Sequence, residues 1–247
     1  MYLTRHARLR LEPGHPSPIH QHAEGQLFYL YSGAISLINQ QGRHLLPPGC
    51  LAWVPPEIRH GAEVHQAVLA QRLYLDADWA RLHLPSELSI VRATALITEL
   101  LSQVVELQSH KAAQQLYLTC LADAYSRQAK LPLTLVMPSH PRLLAVCQQC
   151  LSNVQHHYSL EQLAELAHMS RRSLSRHFLQ ETGISVGVWL QQMRIHLALE
   201  KLVSGQSVTQ IAWDLGYQSL SAFITQFRHH IGVSPGNWQS AIRQNEK

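Results

Sequence analysis

The sequence predicts a two-domain α+β protein: an N-terminal β-barrel carrying a helical segment, followed by an all-helical C-terminal half. Three observations predict it. Ten of the twelve prolines precede Ser139, and in the first third they punctuate short apolar runs that alternate like strands. From Ser86 the apolar period changes from two to three and four, the helical spacing. Within 140–247 one pattern occurs twice: a capped short helix, a tight turn and a capped longer helix. With 247 residues, 46% hydrophobic and 15% charged, the chain holds ample core for two ordinary domains.

Candidate strands are Gln26–Tyr31, Ala34–Ile38, Arg43–Leu46 and Cys50–Val54, separated by Ser32–Gly33, Gln40–Gly42 and Pro47–Gly49. Short strands at such intervals suggest a barrel or sandwich. Two helices follow. Leu96, Leu100, Val104 and Leu107 define Glu87–Leu107, and Leu116, Cys120 and Ala124 define Lys111–Ala129. One helix face must cover the barrel, while a second strip (Ile97, Leu101, Val105) is available to a partner chain and predicts a homodimer. Leu131–Pro141, with three prolines and no helical period, reads as a linker. The predicted domains are therefore 1–130 and 140–247, joined by 131–139.

Arg142–Val154 opens the helical half. Ser159 with Gln162 forms a capping box for Leu160–Ala167, whose inner face is Leu160, Leu163, Ala164 and Ala167. Ser170 caps Arg171–Gln180, with Leu174 and Phe178 inward and Gly183 as the stop. A long helix, Val186–Ser204, leads to Gly205. Ser207 and Gln210 then repeat the capping box, with Val208, Ile211, Ala212 and Leu215 inward. After Gly216–Tyr217, Ser219 caps a helix with Phe223, Phe227 and Ile231 inward, Gly232 ends it, and Ser234–Pro235 starts another.

The net charge of +4 is concentrated in the second half: 1–139 carry 11 Lys+Arg against 10 Asp+Glu, and 140–247 carry 9 against 6. That excess alone is too small to indicate a nucleic-acid partner. No apolar run approaches the ~20 residues of a membrane span. Met1–Glu12 alternates arginine with leucine instead of forming a signal core. Four cysteines without an even framework suit a reducing compartment, so a cytoplasmic location without membrane attachment is predicted. Cys147-x-x-Cys150 has no second cysteine pair to close a zinc site and reads as buried and structural.

The repeated pattern is the helix-turn-helix plan, whose second helix enters the major groove of double-stranded DNA. A connecting helix of about 19 residues is about 28 Å long, near the ~34 Å of one DNA turn, so two units can enter successive grooves. Residues His140–Gln239, and above all IAWDLGYQSLSAFITQFRHHIGVSPGNW, resemble the DNA-binding domain of the AraC/XylS family of bacterial transcription regulators. The resemblance implies that Arg172, Ser175 and Arg176 face bases, with Arg171 near the backbone. Arginines one turn apart at a recognition helix's start can each pair with guanine O6/N7; phosphate clamping is the other reading. In the second unit the implied face is Leu220, Ser221, Ile224 and Thr225. The family's usual arginine is replaced by Thr225, and Arg228 is better placed for phosphate. RNA polymerase is a further implied partner if the protein activates.

Gly14-x5-His20-x-His22-x3-Gln26-x6-Gly33 and Gly49-x5-Pro55-x-Glu57-x2-His60 resemble the two cupin motifs. Gln26 stands where metal-binding cupins carry Glu, and Glu57 replaces the usual glycine. The resemblance implies a small-molecule effector pocket in the barrel, drawn from His20, His22, Gln26, Tyr29, Trp53 and His60. A divalent metal on His20, His22 and His60 is the alternative, since histidines at i and i+2 of a strand share a face. Enzymatic activity is not expected of a barrel fused to paired helix-turn-helix units. The histidine frame with QLFYLYSG and WVPPEIRH is most similar to the nitroimidazole-resistance and efflux-regulator subgroup, which implies a transporter target gene.

Overall fold

The computed structural model describes residues 2–64 and 67–243. The elements are β1 (Leu3–Leu11), β2 (Ser17–His20), β3 (Gly25–Ser32), β4 (Ile35–Asn39), β5 (Gly42–Leu46), β6 (Cys50–Val54), β7 (His60–Val64) and β8 (Val68–Leu75). Then come α1 (Ala77–His83), β9 (Ser89–Arg92), α2 (Ala95–Glu106), α3 (Lys111–Ser126) and β10 (Thr134–Val136). The helical half comprises α4 (Pro141–Ser152), α5 (Leu160–Leu166), α6 (Arg171–Thr182), α7 (Val186–Val203), α8 (Val208–Asp214), α9 (Leu220–Ile231) and α10 (Pro235–Arg243). Two five-stranded sheets form, in the orders β1-β8-β3-β6-β9 and β10-β5-β4-β7-β2. The chain divides into one compact unit of residues up to 37 with 46–133, and a second of 38–45 with 134–243.

In the first unit, the alternating sides of β3, β6 and β8 do different work. Antiparallel register pairs Leu27 with both Trp53 and Leu73. These residues, with Tyr29, Leu51 and Leu75, form one apolar cluster with Ile97, Leu100, Leu101 and Val104 of α2 and Leu118, Leu121 and Tyr125 of α3. Trp53 is wholly buried there, and its indole N–H donates to the Pro85 carbonyl at 2.7 Å. A Cβ on Gly25 would lie 2.1 Å from the Trp53 ring, so only glycine fits. The opposite side of the same strands carries Gln26, Phe28, Arg72 and Tyr74, because side-chain direction alternates along a strand.

Several expectations are corrected. Ser89–Arg92 is not the first turn of a helix but an edge strand on β6, and the helix begins at Ala95 behind the Thr94 cap. Its apolar residues satisfy strand pairing with Cys50–Trp53, which outweighs the local helical period. Ile97 and Leu101 are buried in the chain's own core, so they form no strip for a partner; Leu96 and Leu116 are the exposed ones. On α3, Leu116 and Cys120 point outward, and Gln114, Leu118, Leu121, Ala122 and Tyr125 point inward. The stretch 134–136, expected as linker, is a strand paired with β5.

In the second unit, Leu135 joins Leu143, Leu163, Leu174, Phe178, Trp189 and Met193 in one core, and the Trp189 indole donates to the Val136 carbonyl at 2.6 Å. Phe223 stacks near Tyr217 and Phe227, and Phe227 meets Trp238. The connecting helix α7 packs on α6, α8, α9 and α10. Cys147 and Cys150 are buried, and burial pushes the Cys150 thiol up to about 11, so both are packing residues.

His44 of β5 is buried, with its ring nitrogens 3.0 Å from Thr134 Oγ1 and 3.0 Å from Asn39 Oδ1. Burial, assisted by the nearby His196, pushes it down to about 4. Between that value and the ~6.5 of an unfolded histidine, the unfolded chain binds more protons, so stability rises with pH. The stability of the native protein relative to His44→Gln should be full above about pH 6.5 and fall by up to ~3 kcal/mol towards pH 4. Urea unfolding of both across that range measures it. A pH-independent difference would contradict a buried neutral His44.

Candidate nucleic-acid interface and effector site

Both helix pairs of the C-terminal unit turn the same way. The Met169 N–H donates to the Ala164 carbonyl at 2.9 Å, and the Tyr217 N–H donates to that of Ala212 at 3.0 Å. The residue before each is left-handed, His168 at φ 51° and Gly216 at φ 77°. Ser170 and Ser219 then accept from the backbone N–H of Ser173 and Ala222, starting α6 and α9. Such caps each contribute about 1 kcal/mol. Gly183 and Gly232 end the two helices in the left-handed conformation. The capping box is complete at Ser159–Gln162, whereas Gln210 turns its side chain to Asp214 instead of closing the box with Ser207.

On α6, Leu174, Phe178 and Thr182 face inward and Arg172, Ser175 and Arg176 are exposed on the opposite face. Arg171 is also exposed, but its guanidinium pairs with Glu161 of α5, so it ties the two helices of the unit together. On α9, Phe223 and Phe227 are buried; Ser221, Thr225 and Arg228 are exposed, while Leu220 and Ile224 are half-buried. The first unit thus presents arginines one turn apart. The second presents hydroxyls, methyl groups and one cation at the helix end.

In the N-terminal unit, β2 pairs with β7 so that His20 lies opposite His60. The rings of His20 and His60 are 4.6 Å apart, and those of His22 and His60 5.0 Å. One nitrogen from each of the three rings lies within 4.8 Å of the others. Every Nδ1 faces a backbone carbonyl: His20 that of Pro18 at 2.8 Å, His22 that of Glu24 at 2.6 Å, His60 that of Ile58 at 2.8 Å. A carbonyl only accepts, so each Nδ1 donates its proton there, and a ring with no second proton presents Nε2 as a lone pair. Burial, with the charges of His20, His22 and Arg72, pushes His60 down to about 4 despite its bond to Ile58.

These residues fit a transition-metal ion in ligand type and tautomer. Metal–nitrogen bonds of about 2.1 Å put neighbouring ligand nitrogens roughly 3–3.5 Å apart, so the rings need to close slightly. Gln26 is buried, with its side-chain amide 3.0 Å from His22 Nε2. The atom facing it is the amide oxygen Oε1, an acceptor, so the contact is a hydrogen bond where the His22 Nε2 carries a proton.

The structure brings together His20, His22, Gln26 and His60, but not Tyr29 or Trp53. Those two lie on the opposite side of β3 and β6, in the core against the helices. The period-two alternation from Gln26 already separates Tyr29 from it. Tyr74 and Arg72 take their place. The Tyr74 ring is 5.2 Å from that of His22, and the Arg72 guanidinium is 5.1 Å from the Tyr74 ring. Their signal in the sequence is the alternation Ala70, Arg72, Tyr74 within VLAQRLYL, unread because the run was not recognised as a strand. Glu57, where cupins carry glycine, has φ 64°, and its N–H donates to the His22 carbonyl at 2.9 Å.

The molecule thus couples a ligand-binding β-domain to two helix-turn-helix units. Residues 8–132 match the AraC-like ligand binding domain, and residues 163–241 match a helix-turn-helix domain. The chain belongs to the AraC family and is a DNA-binding transcriptional regulator. It is 29% identical over 225 residues to the HTH-type transcriptional regulator NimR of Escherichia coli K12, covering 90% of this chain and 82% of that protein. It is 28% identical over 235 residues to the RCS-specific HTH-type transcriptional activator RclR of the same organism, covering 89% and 80%. A crystal structure of ToxT from Vibrio cholerae aligns over 96% of this chain and 97% of that one, at 13% identity and TM-score 0.41. Among the described residues, no helix is long and apolar enough to cross a membrane.

A left-handed non-glycine residue costs about 1–2 kcal/mol, partly offset in glycine by chain entropy. Glu57→Gly should therefore raise stability by about 0.5–1 kcal/mol in denaturant unfolding, and Glu57→Val should lower it. Equal stability of all three would mean that the loop adopts another conformation.

Proposed function

We propose that this regulator reads a specific DNA site chiefly through Arg172, Ser175 and Arg176, under control of an effector bound at His20, His22, Gln26 and His60. The observation that carries the reading is the contrast between the two recognition helices. Exposed arginines on α6 match the paired acceptors of guanine. On α9 the outward Leu220, Ser221, Ile224 and Thr225 supply methyl contacts and short hydroxyls, with Arg228 for phosphate. Arg176→Ala should abolish the preference for cognate over scrambled DNA, at about 1–3 kcal/mol per lost guanine contact. Arg228→Ala should weaken both DNAs alike and lower the salt slope by about one unit. Quantitative footprinting across salt concentrations separates them; equal losses on both DNAs for Arg176→Ala would overturn the base-reading role.

The converging Nε2 atoms favour a second reading, in which the effector is a divalent transition metal. His20, His22 and His60 would hold the ion, leaving positions open for water or a ligand. Protein purified after metal supplementation should carry about one equivalent, lost in His60→Ala. Elemental analysis giving less than about a tenth of an equivalent would exclude the metal.

The protein acts in the cytoplasm, without catalysis, as a homodimer with RNA polymerase as partner where it activates. A transporter or efflux gene among its targets follows from the subgroup resemblance. Exposed Leu96 on α2 and Leu116 on α3 support self-association.

A further inference from the structure

Arg72 has a place in this domain that the histidine group does not account for. It sits on β8 opposite Phe28, on the side of the strand shared with Tyr74. The residue is half-buried, and its Nε is removed from solvent with no hydrogen-bond partner among the described residues. Its guanidinium lies 5.1 Å from the Tyr74 ring, which also packs on His22 and carries Arg5 at 3.7 Å. The surrounding carboxylates are otherwise engaged or turned away. Glu24 accepts from Arg5 at 2.9 Å and from Thr4 at 2.5 Å, while Glu57 and Glu63 are exposed. Asp76 caps α1. Among the described residues, Arg72 makes no ion pair.

A guanidinium is permanently charged and presents donors in a planar fork that matches the two oxygens of a carboxylate. Buried donors in folded proteins almost always have an acceptor, and an orphan marks a place where something else supplies one. Here Tyr74 offers its ring face, and no acceptor bonds the Arg72 Nε among the described residues.

We propose that Arg72, on the strand face that carries Gln26 and Tyr74 towards His22, receives a small organic monoanion, a carboxylate-bearing effector. The carboxylate oxygens accept from the Arg72 guanidinium, and the imidazoles meet the polar remainder of the molecule. A monoanion fits better than a phosphate dianion, because Arg72 is the single unpaired arginine on that face among the described residues, Arg5 being paired with Glu24. The inference deepens the effector-site reading and rests on it.

The test uses the full-length protein, with acetate as the probe and chloride at equal ionic strength as reference. A chelator is present in one arm and zinc in the other. Acetate near tenfold its dissociation constant should raise the melting temperature by about 3 °C over chloride, whereas acetamide, which has the shape without the charge, should not. Arg72→Gln, which keeps amide donors without charge, should lose the whole shift. Arg72→Lys, with charge but no fork, should keep less than half. A shift with acetate no larger than with chloride up to about 100 mM, or one undiminished in Arg72→Gln, would overturn the proposal. A shift confined to the zinc arm and retained in Arg72→Gln would assign the anion to a metal on the histidines instead. If acetate binds through Arg72 but leaves operator affinity unchanged, the anion site stands and effector control of DNA binding fails.

Discussion

The strands β3, β6 and β8 are buried on both sides, and the two sides hold different chemistry. One packs Leu27, Tyr29, Leu51, Trp53 and Leu73 onto the helices that follow, making a continuous apolar core. The other carries Gln26, Arg72 and Tyr74 towards the imidazoles from β2 and β7. A slip of one residue in register would exchange them, placing a charged and an amide side chain against the helices. The Trp53 indole, wedged over Gly25 and bonded to the Pro85 carbonyl, opposes that slip. The placing of Gln26, Arg72 and Tyr74 thus depends on apolar packing behind them. Truncating Trp53 would remove both the wedge and the bulk of the side chain, the class of core change that costs about 3–5 kcal/mol.

The two helix-turn-helix units share backbone geometry and differ in surface chemistry. The left-handed residue at the turn, the serine cap and the glycine stop recur in both, because each satisfies a backbone need independent of what the outer face reads. Gly216 meets its need without strain, and a Cβ there would come 3.2 Å from the Gln155 carbonyl. His168 takes the same conformation with a side chain. The outward faces have no such obligation, and they carry arginines on one unit and methyl-bearing residues on the other.

Much of this was legible in the chain. The cap residues, glycine stops and inward phenylalanines located α5 to α9 within a residue or two, since helix ends are set by local hydrogen bonds. The strand Cys50–Val54 was read at its full length, and β3 to within one residue at each end. Legibility failed where pairing partners lie far apart. Polar β2 carries little apolar pattern and becomes a strand by pairing with β7, whereas β1 alternates arginine with leucine, a strand period read only against a signal core. Ser89–Arg92 was read into the following helix although its β-branched Ile90 and Val91 favour a strand, which forms on the edge of β6. Thr134–Val136 was read as linker for the same reason, its partner β5 lying some ninety residues earlier.

For the site, the sequence by itself determined which residue types converge: the i, i+2 histidines, the third histidine, the amide in place of a carboxylate, and the arginines on the first recognition helix. The arginines follow from spacing along one helix, whereas His20 ends β2, His22 lies beyond it, Gln26 is on β3 and His60 on β7, so the motif resemblance carried that group. Only the tertiary structure decided which side of each strand faces the histidines. It moved Tyr29 and Trp53 into the core, set Tyr74 against His22 and put Arg72 on the same strand face as Tyr74. That choice rests on register between β3 and β8, some forty residues apart, and on which face the helices cover. Neither is a local property of the chain, so neither can be read from spacing alone.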